Sequence, residues 1–455
     1  MKHRRPVSRK PRFESCEKRL NMTVSFDAAT LLSLPSETQQ VGSVQAADFN
    51  GDSIIDLAVS RGVDGPRRDD FAYLEWFPGT GTETFEQVVN VGVGNNLGSE
   101  LALGDIDLDG DLDLLASIDG LAWYENVGGT GVFEMAQQIR DSHTWELSLV
   151  DLDSDSDLDI LTFVRTGRYD STPAWYENLE RFELGLYGAE LLISTGGSTA
   201  HPADIDGDGR QDIVTNFQRI WAAGCYSSMT WSPGKDDVGE PFGEGRPFAL
   251  EADICSYPSE PILSDFDGDG DVDIVTTYHS TLNFYENLGG GAFGEARELI
   301  DMFATNVVEM ALNDFDNDGD IDIVLEARTE GRGHLLWLEN DGNTRIVATH
   351  DIARSDFRLE LQDLVDFDSD GDTDVIASIA NDVVLYRSDA ADQPQEILGD
   401  LDGDGVVDLA DYRVLAANFH HQNVTSAEGD LNEDGVVDFA DFLVLSRRYS
   451  RAVVM

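Results

Sequence analysis

The chain has 455 residues, with 88 Asp and Glu against 30 Lys and Arg and a formal net charge of −58 at pH 7. Such a charge repels nucleic acid and anionic membranes, so neither is expected as a partner. No run of 18 apolar residues offers a membrane span, and three cysteines (Cys16, Cys225, Cys255) are too few for a disulfide-dense scaffold.

Residues 1–22 read as a basic leader, with Glu14 and Glu17 the only acids among the first 20. No apolar core of about 7–15 residues follows, so this is not an ordinary secretory signal. Export is inferred instead from the acidic body of the chain, which suits the millimolar calcium outside cells. Val24–Ala29 (Val-Ser-Phe-Asp-Ala-Ala) is strand-like and has no partner near it in sequence.

Seven copies of one acidic loop then follow, from Asp48 to Asp366 at a mean step of 53 residues. Positions 1, 3, 5 and 9 are Asp48, Asn50, Asp52 and Asp56 in the first copy, then Asp105, Asp107, Asp109 and Asp113. The third has Asp151, Asp153, Asp155 and Asp159, and the fourth Asp204, Asp206, Asp208 and Asp212. The fifth has Asp265, Asp267, Asp269 and Asp273, and the sixth Asp314, Asp316, Asp318 and Asp322. The seventh has Asp366, Asp368, Asp370 and Asp374. Oxygen ligands on alternate residues of a tight loop converge on one hard cation, and the chemistry points to Ca²⁺. Position 6 must turn sharply, which favours Gly. Ser53 and Ser156 stand there in loops 1 and 3, and Asn50 replaces an acid, so those two sites are expected to be the weakest.

Each loop runs into an apolar segment, and a second element follows in the same phase. It reads Leu-Glu-Trp-Phe-Pro at 74–78, Trp-Tyr-Glu-Asn at 123–126 and 175–178, and Trp-Ser-Pro at 231–233. It continues as Phe-Tyr-Glu-Asn at 284–287, Trp-Leu-Glu-Asn at 337–340 and Leu-Tyr-Arg at 385–387. A fixed period of about 50 residues with four short strands per repeat predicts the blades of a propeller. Repeat 7 lacks its fourth strand, so the segment near Val24–Ala29 is expected to close the last blade. Antiparallel order puts cation loops and Gly turns on one rim, and the hairpins between strands 2 and 3 on the other.

The acidic loop, the Trp-Tyr-Glu-Asn strand and the Gly290-Gly291-Ala292-Phe293 turn resemble the FG-GAP/VCBS repeats of integrin-α-like β-propellers. That resemblance implies an all-β fold over residues 23–389: a seven-bladed propeller with calcium-binding loops. The stretch 12–20 is similar to the leader of some large bacterial surface proteins, although Cys16 stands where Leu is usual.

A linker at 390–396 precedes a different duplication at 397–450, and 451–455 is a tail. Two twelve-residue loops carry Asp400, Asp402, Asp404, Asp408 and Asp411, then Asp430, Asn432, Asp434, Asp438 and Asp441. A short amphipathic helix follows each, with Tyr412, Leu415 and Phe419 and then Phe442, Leu445 and Tyr449 at helical spacing. This pair resembles type I dockerin repeats, small α-helical domains with EF-hand-type loops. The resemblance implies two more Ca²⁺, about nine in all, and a cohesin-type partner. Where dockerins carry polar recognition residues, this chain has Leu409-Ala410 and Phe439-Ala440.

No nucleophile elbow, zinc-protease helix, phosphate loop or dinucleotide fingerprint appears. His143, His201, His279 and His334 are scattered, and the regularly spaced acids belong to the loops, so no catalytic residue is assigned. The hairpins opposite the cation loops hold eight arginines against eight acids, neutral in a very acidic chain. Candidate ligand contacts there are Arg165, Arg168, Tyr169, Trp221, Arg328 and Arg332, with Arg61 among the other rim arginines. Cys225 and Cys255 fall on that same rim, with a disulfide and two free thiols equally open. Two functions follow. The first is a secreted or cell-surface adhesion and carbohydrate- or protein-recognition module, tethered by its tail. The second is an extracellular polysaccharide lyase or glycoside hydrolase built on the propeller.

Overall fold

The computed structural model describes residues 26, 30–32, 40–62, 72–81, 84–86, 88–94, 100–142, 144–166, 171–179, 187–193, 199–221, 224–235, 241–252, 261–278, 281–302, 306–329, 331–342, 344–379 and 381–388 of the propeller region. In the C-terminal unit it describes 401, 409–421, 429, 431, 436–437 and 439–447. The chain is mostly β, arranged as seven four-stranded antiparallel sheets. Six are meanders of four consecutive strands, and the seventh takes three strands from residues 359–386 and one from the N-terminal region.

Every second strand starts on position 9 of a cation loop: Asp56–Gly62, Asp113–Ala116, Asp159–Arg165, Asp212–Trp221, Asp273–Tyr278, Asp322–Thr329 and Asp374–Ile379. These strands sit inside their sheets and are apolar on both faces, as a fully covered strand must be. Asp113–Ala116, for example, is buried at every residue. Fourth strands are less covered: Phe133–Arg140 has no buried residue and mixes polar with apolar side chains.

The core lies between blades rather than within them. Seven apolar clusters each draw on two neighbours; Phe49, Ala58, Leu74 and Trp76 of blade 1 pack on Leu101, Leu114, Ala116 and Tyr124 of blade 2. The apolar residue at position 2 of each loop is the plug. Phe49, Ile106, Leu152, Ile205, Phe266 and Phe315 are all buried, each in the cluster shared with the next blade.

The ring closes through strand Thr30–Leu32, which pairs antiparallel with Val383–Leu385. The closing ladder therefore lies just beyond the segment 24–29 expected from sequence, of which only Phe26 is described. Phe26 makes an isolated bridge to Ser388. Phe85, Tyr187, Phe242 and Phe293 make the same isolated bridge in their own blades, and the ladder resumes a few residues later. Phe26 also packs on Phe315 of blade 6 at 6.1 Å, as Phe133 packs on Phe49 at 5.6 Å. Closure gives strand Asp382–Tyr386 an outer partner, so the seventh blade has four strands like the other six.

The C-terminal unit contributes helices α1 (Leu409–Asn418) and α2 (Phe439–Arg447). Leu415, Leu431, Val437 and Leu445 form its small core. No helix among the described residues is long and apolar enough to cross a membrane.

Candidate metal centre

All seven propeller loops share one internal scaffold. The position-1 carboxylate accepts the position-6 backbone N–H at 2.7–3.1 Å in every copy. That contact needs a left-handed residue at position 6, and Gly110, Gly209, Gly270, Gly319 and Gly371 supply it at φ 88 to 99. Ser53 and Ser156 adopt it as non-glycines, at φ 66 and 78. Position 4 is left-handed as well, which sequence reasoning missed. Gly51, Leu108, Ser154, Gly207, Gly268, Asn317 and Ser369 all have φ between 56 and 74.

Position 9 is a staple. One oxygen accepts the N–H of the position-2 plug at 2.9–3.2 Å. The other accepts a backbone N–H at the end of strand 3, from Gly79, Asn126, Asn178, Gly234, Asn287, Asn340 or Ser388, at 2.6–2.9 Å. In blade 6 the Trp337 indole also donates to Asp322, at 2.9 Å. Burial is the largest influence on these carboxyls: it pushes Asp113 and Asp273 up to about 7, and Asp159 and Asp322 up to about 8. Backbone N–H donors offset part of that rise, and neighbouring loop acids add to it.

Within this scaffold carboxylate oxygens converge, with the position-9 acid taking part in loops 4 and 6. Three carboxylates offer oxygens within 4.8 Å of one another at Asp105/Asp107/Asp109, Asp151/Asp153/Asp155, Asp204/Asp206/Asp212, Asp265/Asp267/Asp269 and Asp314/Asp316/Asp322. In each of these five loops at least one buried ligand oxygen has no hydrogen-bond donor: Oδ1 of Asp105, Asp153, Asp206, Asp265 and Asp314. A buried carboxylate oxygen without a donor is costly unless a cation completes it, so the donor set fits a hard divalent ion. The Trp-Tyr-Glu-Asn glutamate stands beside position 3 in four blades. Asp107 is raised first by burial and then by Asp109, with Glu125 adding to the effect, and Glu286 adds likewise at Asp267. Glu177 acts so on Asp153, and Glu339 on Asp316.

The asparagine of that motif latches neighbouring blades. Its Nδ2 donates to the position-2 carbonyl of the preceding loop: Asn126 to Phe49 and Asn287 to Ile205, both at 2.8 Å, and Asn178 to Ile106 at 3.0 Å. Asn340 reaches Phe266 at 3.5 Å. Recurrence of Asn directly after Glu in four of seven copies was the sequence signal available for it.

In the C-terminal unit the last loop acids repeat the staple. Asp411 accepts the Leu401 N–H at 2.6 Å and Asp441 that of Leu431 at 2.8 Å, and both acids are fully buried. Asp400, Asp402, Asp404, Asp408, Asp430, Asn432, Asp434 and Asp438 lie outside the described residues.

On the opposite rim the arginines divide. Arg61, expected on the surface, is 1% exposed; it pairs with Glu75 at 3.3 Å and lies over the Phe77 ring, so it is a core ion pair. Arg328 pairs with the buried Glu326 at 2.7 Å. Arg332 pairs with Asp356 at 3.0 Å but both are largely exposed, and Arg165 is exposed beside the Trp145 ring at 6.0 Å. Arg168 and Tyr169, Cys255, His143 and His279 lie outside the described residues, as do the side chains of Trp221 and Cys225. His201 is half-buried on the first strand of blade 4 with its Nε2 covered, and burial pulls its imidazole down to about 4.

Fold and loops together define a seven-bladed β-propeller with one acidic, cation-shaped loop per blade. Family models place it further. One described as an FG-GAP-like repeat matches residues 48–116, 265–325 and 314–377, and one described as a dockerin type I domain matches 398–450. The chain thus carries FG-GAP-like repeats and a C-terminal dockerin type I domain, a domain type that binds calcium and cohesin partners. No curated protein matches the chain. Solved structures similar to it include an Agrocybe aegerita lectin that recognises non-reducing terminal N-acetylglucosamine (18% identity, 69% of this chain and 80% of that one, TM-score 0.44). Others are an exotype rhamnogalacturonan lyase (12% identity, 79% and 75%, TM-score 0.45) and an α-L-arabinofuranosidase from Fusarium graminearum (10% identity, 63% and 88%, TM-score 0.39).

Proposed function

We propose that the chain is a secreted or cell-surface recognition module. Calcium rigidifies the propeller, the rim opposite the cation loops binds a glycan or protein, and the dockerin domain tethers the assembly to a cohesin-type partner. About nine Ca²⁺ would fill the seven propeller loops and the two loops of the tail.

The division of labour between the two rims carries this reading. One rim consumes the regularly spaced acids in holding cations. The other exposes Arg165 and Arg332 in hairpins that stay close to neutral, seven arginines against eight acids, once Arg61 is set aside as a core residue. Guanidinium groups pair with carboxylate or sulfate, so the ligand class is an acidic glycan such as a uronate or sulfated chain. On the tail, Tyr412, Phe439 and Phe442 pack together at 5.6–5.8 Å, with Phe439 62% exposed. An apolar patch of this kind suits a partner surface more apolar than a polar dockerin interface would need.

A glycan array probed with and without calcium tests the recognition reading. Acidic glycans should bind, and the triple substitution of Arg165, Arg168 and Arg332 by Ser should abolish that binding while calcium-dependent melting stays intact. Binding retained in the triple variant, or insensitive to about 0.5 M salt, would contradict the electrostatic reading. Each hit is then incubated with the protein; a shortened or unsaturated product would move the assignment to a lyase or hydrolase.

A further inference from the structure

The seven loops differ in what strand 3 presents beside position 3. Blades 2, 3, 5 and 6 present Glu125, Glu177, Glu286 and Glu339, a fifth carboxylate near each cluster. Blades 1 and 4 present Pro78 and Pro233 there, and blade 7 presents Arg387. The Arg387 guanidinium lies 3.6 Å from Oδ2 of Asp368, the position-3 acid of loop 7. Both side chains are about one-third exposed, at 33% and 34%, so solvent screens the pair only in part. Burial and Asp370 raise the Asp368 carboxyl, and Arg387 pulls it back down.

We propose that Arg387 is a tethered cation that occupies the ligand sphere of loop 7 in place of a metal's fifth carboxylate. This rests on reading the loops as calcium sites. Relative to blades 2, 3, 5 and 6, the exchange of Glu for Arg changes the local charge by two units, and ligand charge count sets the affinity of oxygen cages for calcium. Loop 7 therefore binds calcium more weakly than it would with a Glu at 387, on the order of tenfold or more. Loops 2 to 6 each hold a buried carboxylate oxygen without a donor, and among the described residues loop 7 holds none. Asp366 itself is bonded as Asp151 and Asp204 are, with Oδ1 accepting the position-5 N–H and Oδ2 the position-6 N–H, so the difference lies beside position 3.

The consequence falls on the blade that closes the ring. Blade 7 is completed by Thr30–Leu32, so its loop must hold shape while that distant strand docks. A guanidinium built into the chain offsets one of the loop's negative charges at any calcium concentration, which makes closure less dependent on filling of this site. Position 6 was the sequence criterion for weak sites, and it pointed to loops 1 and 3. Charge beside position 3 adds loop 7 to the weak class.

The test uses the full chain, calcium as the titrant, and two variants, Arg387→Glu and Arg387→Gln. Equilibrium dialysis or calorimetry reads the number of tight sites and the affinity of the weak class. Arg387→Glu should convert one weak site into a tight one, and Arg387→Gln should strengthen the same site by a smaller step. In chelator, Arg387→Glu should melt below the unmodified chain, because the tethered charge is lost, and it should gain more on calcium addition. If the unmodified chain binds calcium but both variants match it in stoichiometry, affinity and melting, the tethered-cation proposal is wrong and the calcium reading stands. If neither the chain nor its variants binds calcium, both are overturned.

Discussion

Blades 2, 3, 5 and 6 end strand 3 in Glu-Asn; blades 1, 4 and 7 end it in Pro-Gly, Pro-Gly and Arg-Ser. All seven make the same position-9 staple, because it uses only a backbone N–H that any of these residues supplies. Only the first group sends a side-chain amide into the preceding blade, and only it adds a carboxylate beside the cation cluster. Intrablade geometry is thus insensitive to this dipeptide, whereas interblade attachment and the charge beside the acidic cluster both depend on it. The boundaries that close the ring use other means. Gln362 of blade 7 accepts the Val44 N–H at 2.9 Å and Asp363 the Ala46 N–H at 2.8 Å. Glu326 of blade 6 accepts from Leu361 of blade 7 at 3.4 Å. Between blades 3 and 4 the contact is apolar packing of Phe163, Trp175, Ala200 and Ile213.

The sharpest break in this comparison is at the closing joint. Deleting residues 1–35 removes Thr30–Leu32 and should lower the melting temperature by on the order of 10 °C and broaden the transition, while deleting 1–20 should shift it by about 2 °C or less. Equal melting of the two truncations would refute closure by this strand.

Next in size is the Gly turn. Gly291 has φ 72, and a Cβ there would run into the Trp231 ring of the preceding blade, whose indole N–H donates to the Gly291 carbonyl at 3.1 Å. Gly291→Ala should cost about 3–5 kcal/mol by denaturant titration. Gly290, at φ 66 with open space around it, should cost about 1–2 kcal/mol for the same change, the backbone penalty alone.

The latch itself comes third. Asn287→Ala leaves the staple but strips the amide from the Ile205 carbonyl, and should cost about 1–3 kcal/mol. Ser388→Ala at the equivalent place in blade 7 should cost under about 0.5 kcal/mol, since only the Ser388 backbone N–H is used there. Comparable losses would mean the amide is not the distinguishing contact. The smallest expected effect is a gain: Leu108 is half-exposed at φ 57, so Leu108→Gly should stabilise the chain by about 0.5–1 kcal/mol.

Much of this was legible in sequence because a hard cation demands carboxylates at fixed spacing. The seven loops, their phase and the duplicated tail followed from that demand. The left-handed position 4 was not legible, because Leu108, Ser154 and Gly207 meet the same backbone requirement with unrelated side chains. Nor was the latch, whose donor and acceptor lie 72 to 82 residues apart in Asn126, Asn178, Asn287 and Asn340. The rim was misjudged at Arg61 because charges were weighed along each hairpin rather than across the ladder to Glu75 and down to Phe77. A charge buried with its partner contributes nothing to a binding face.

The central claim is that calcium completes these loops, and melting with and without the ion at two pH values tests it most directly. In the calcium-free protein the buried position-9 acids favour their protonated form, with Asp113 at about 7 and Asp159 at about 8 against an unfolded value near 3.8. Their stabilising contribution is present below about pH 4 and is lost as pH rises through about 7 to 8. A bound dication favours the ionised form and removes that loss. Calcium-free protein should therefore melt lower at pH 8 than at pH 5, calcium-loaded protein should not, and the gap between them should be widest at pH 8. Superimposable melting curves with and without calcium at both pH values would contradict the account.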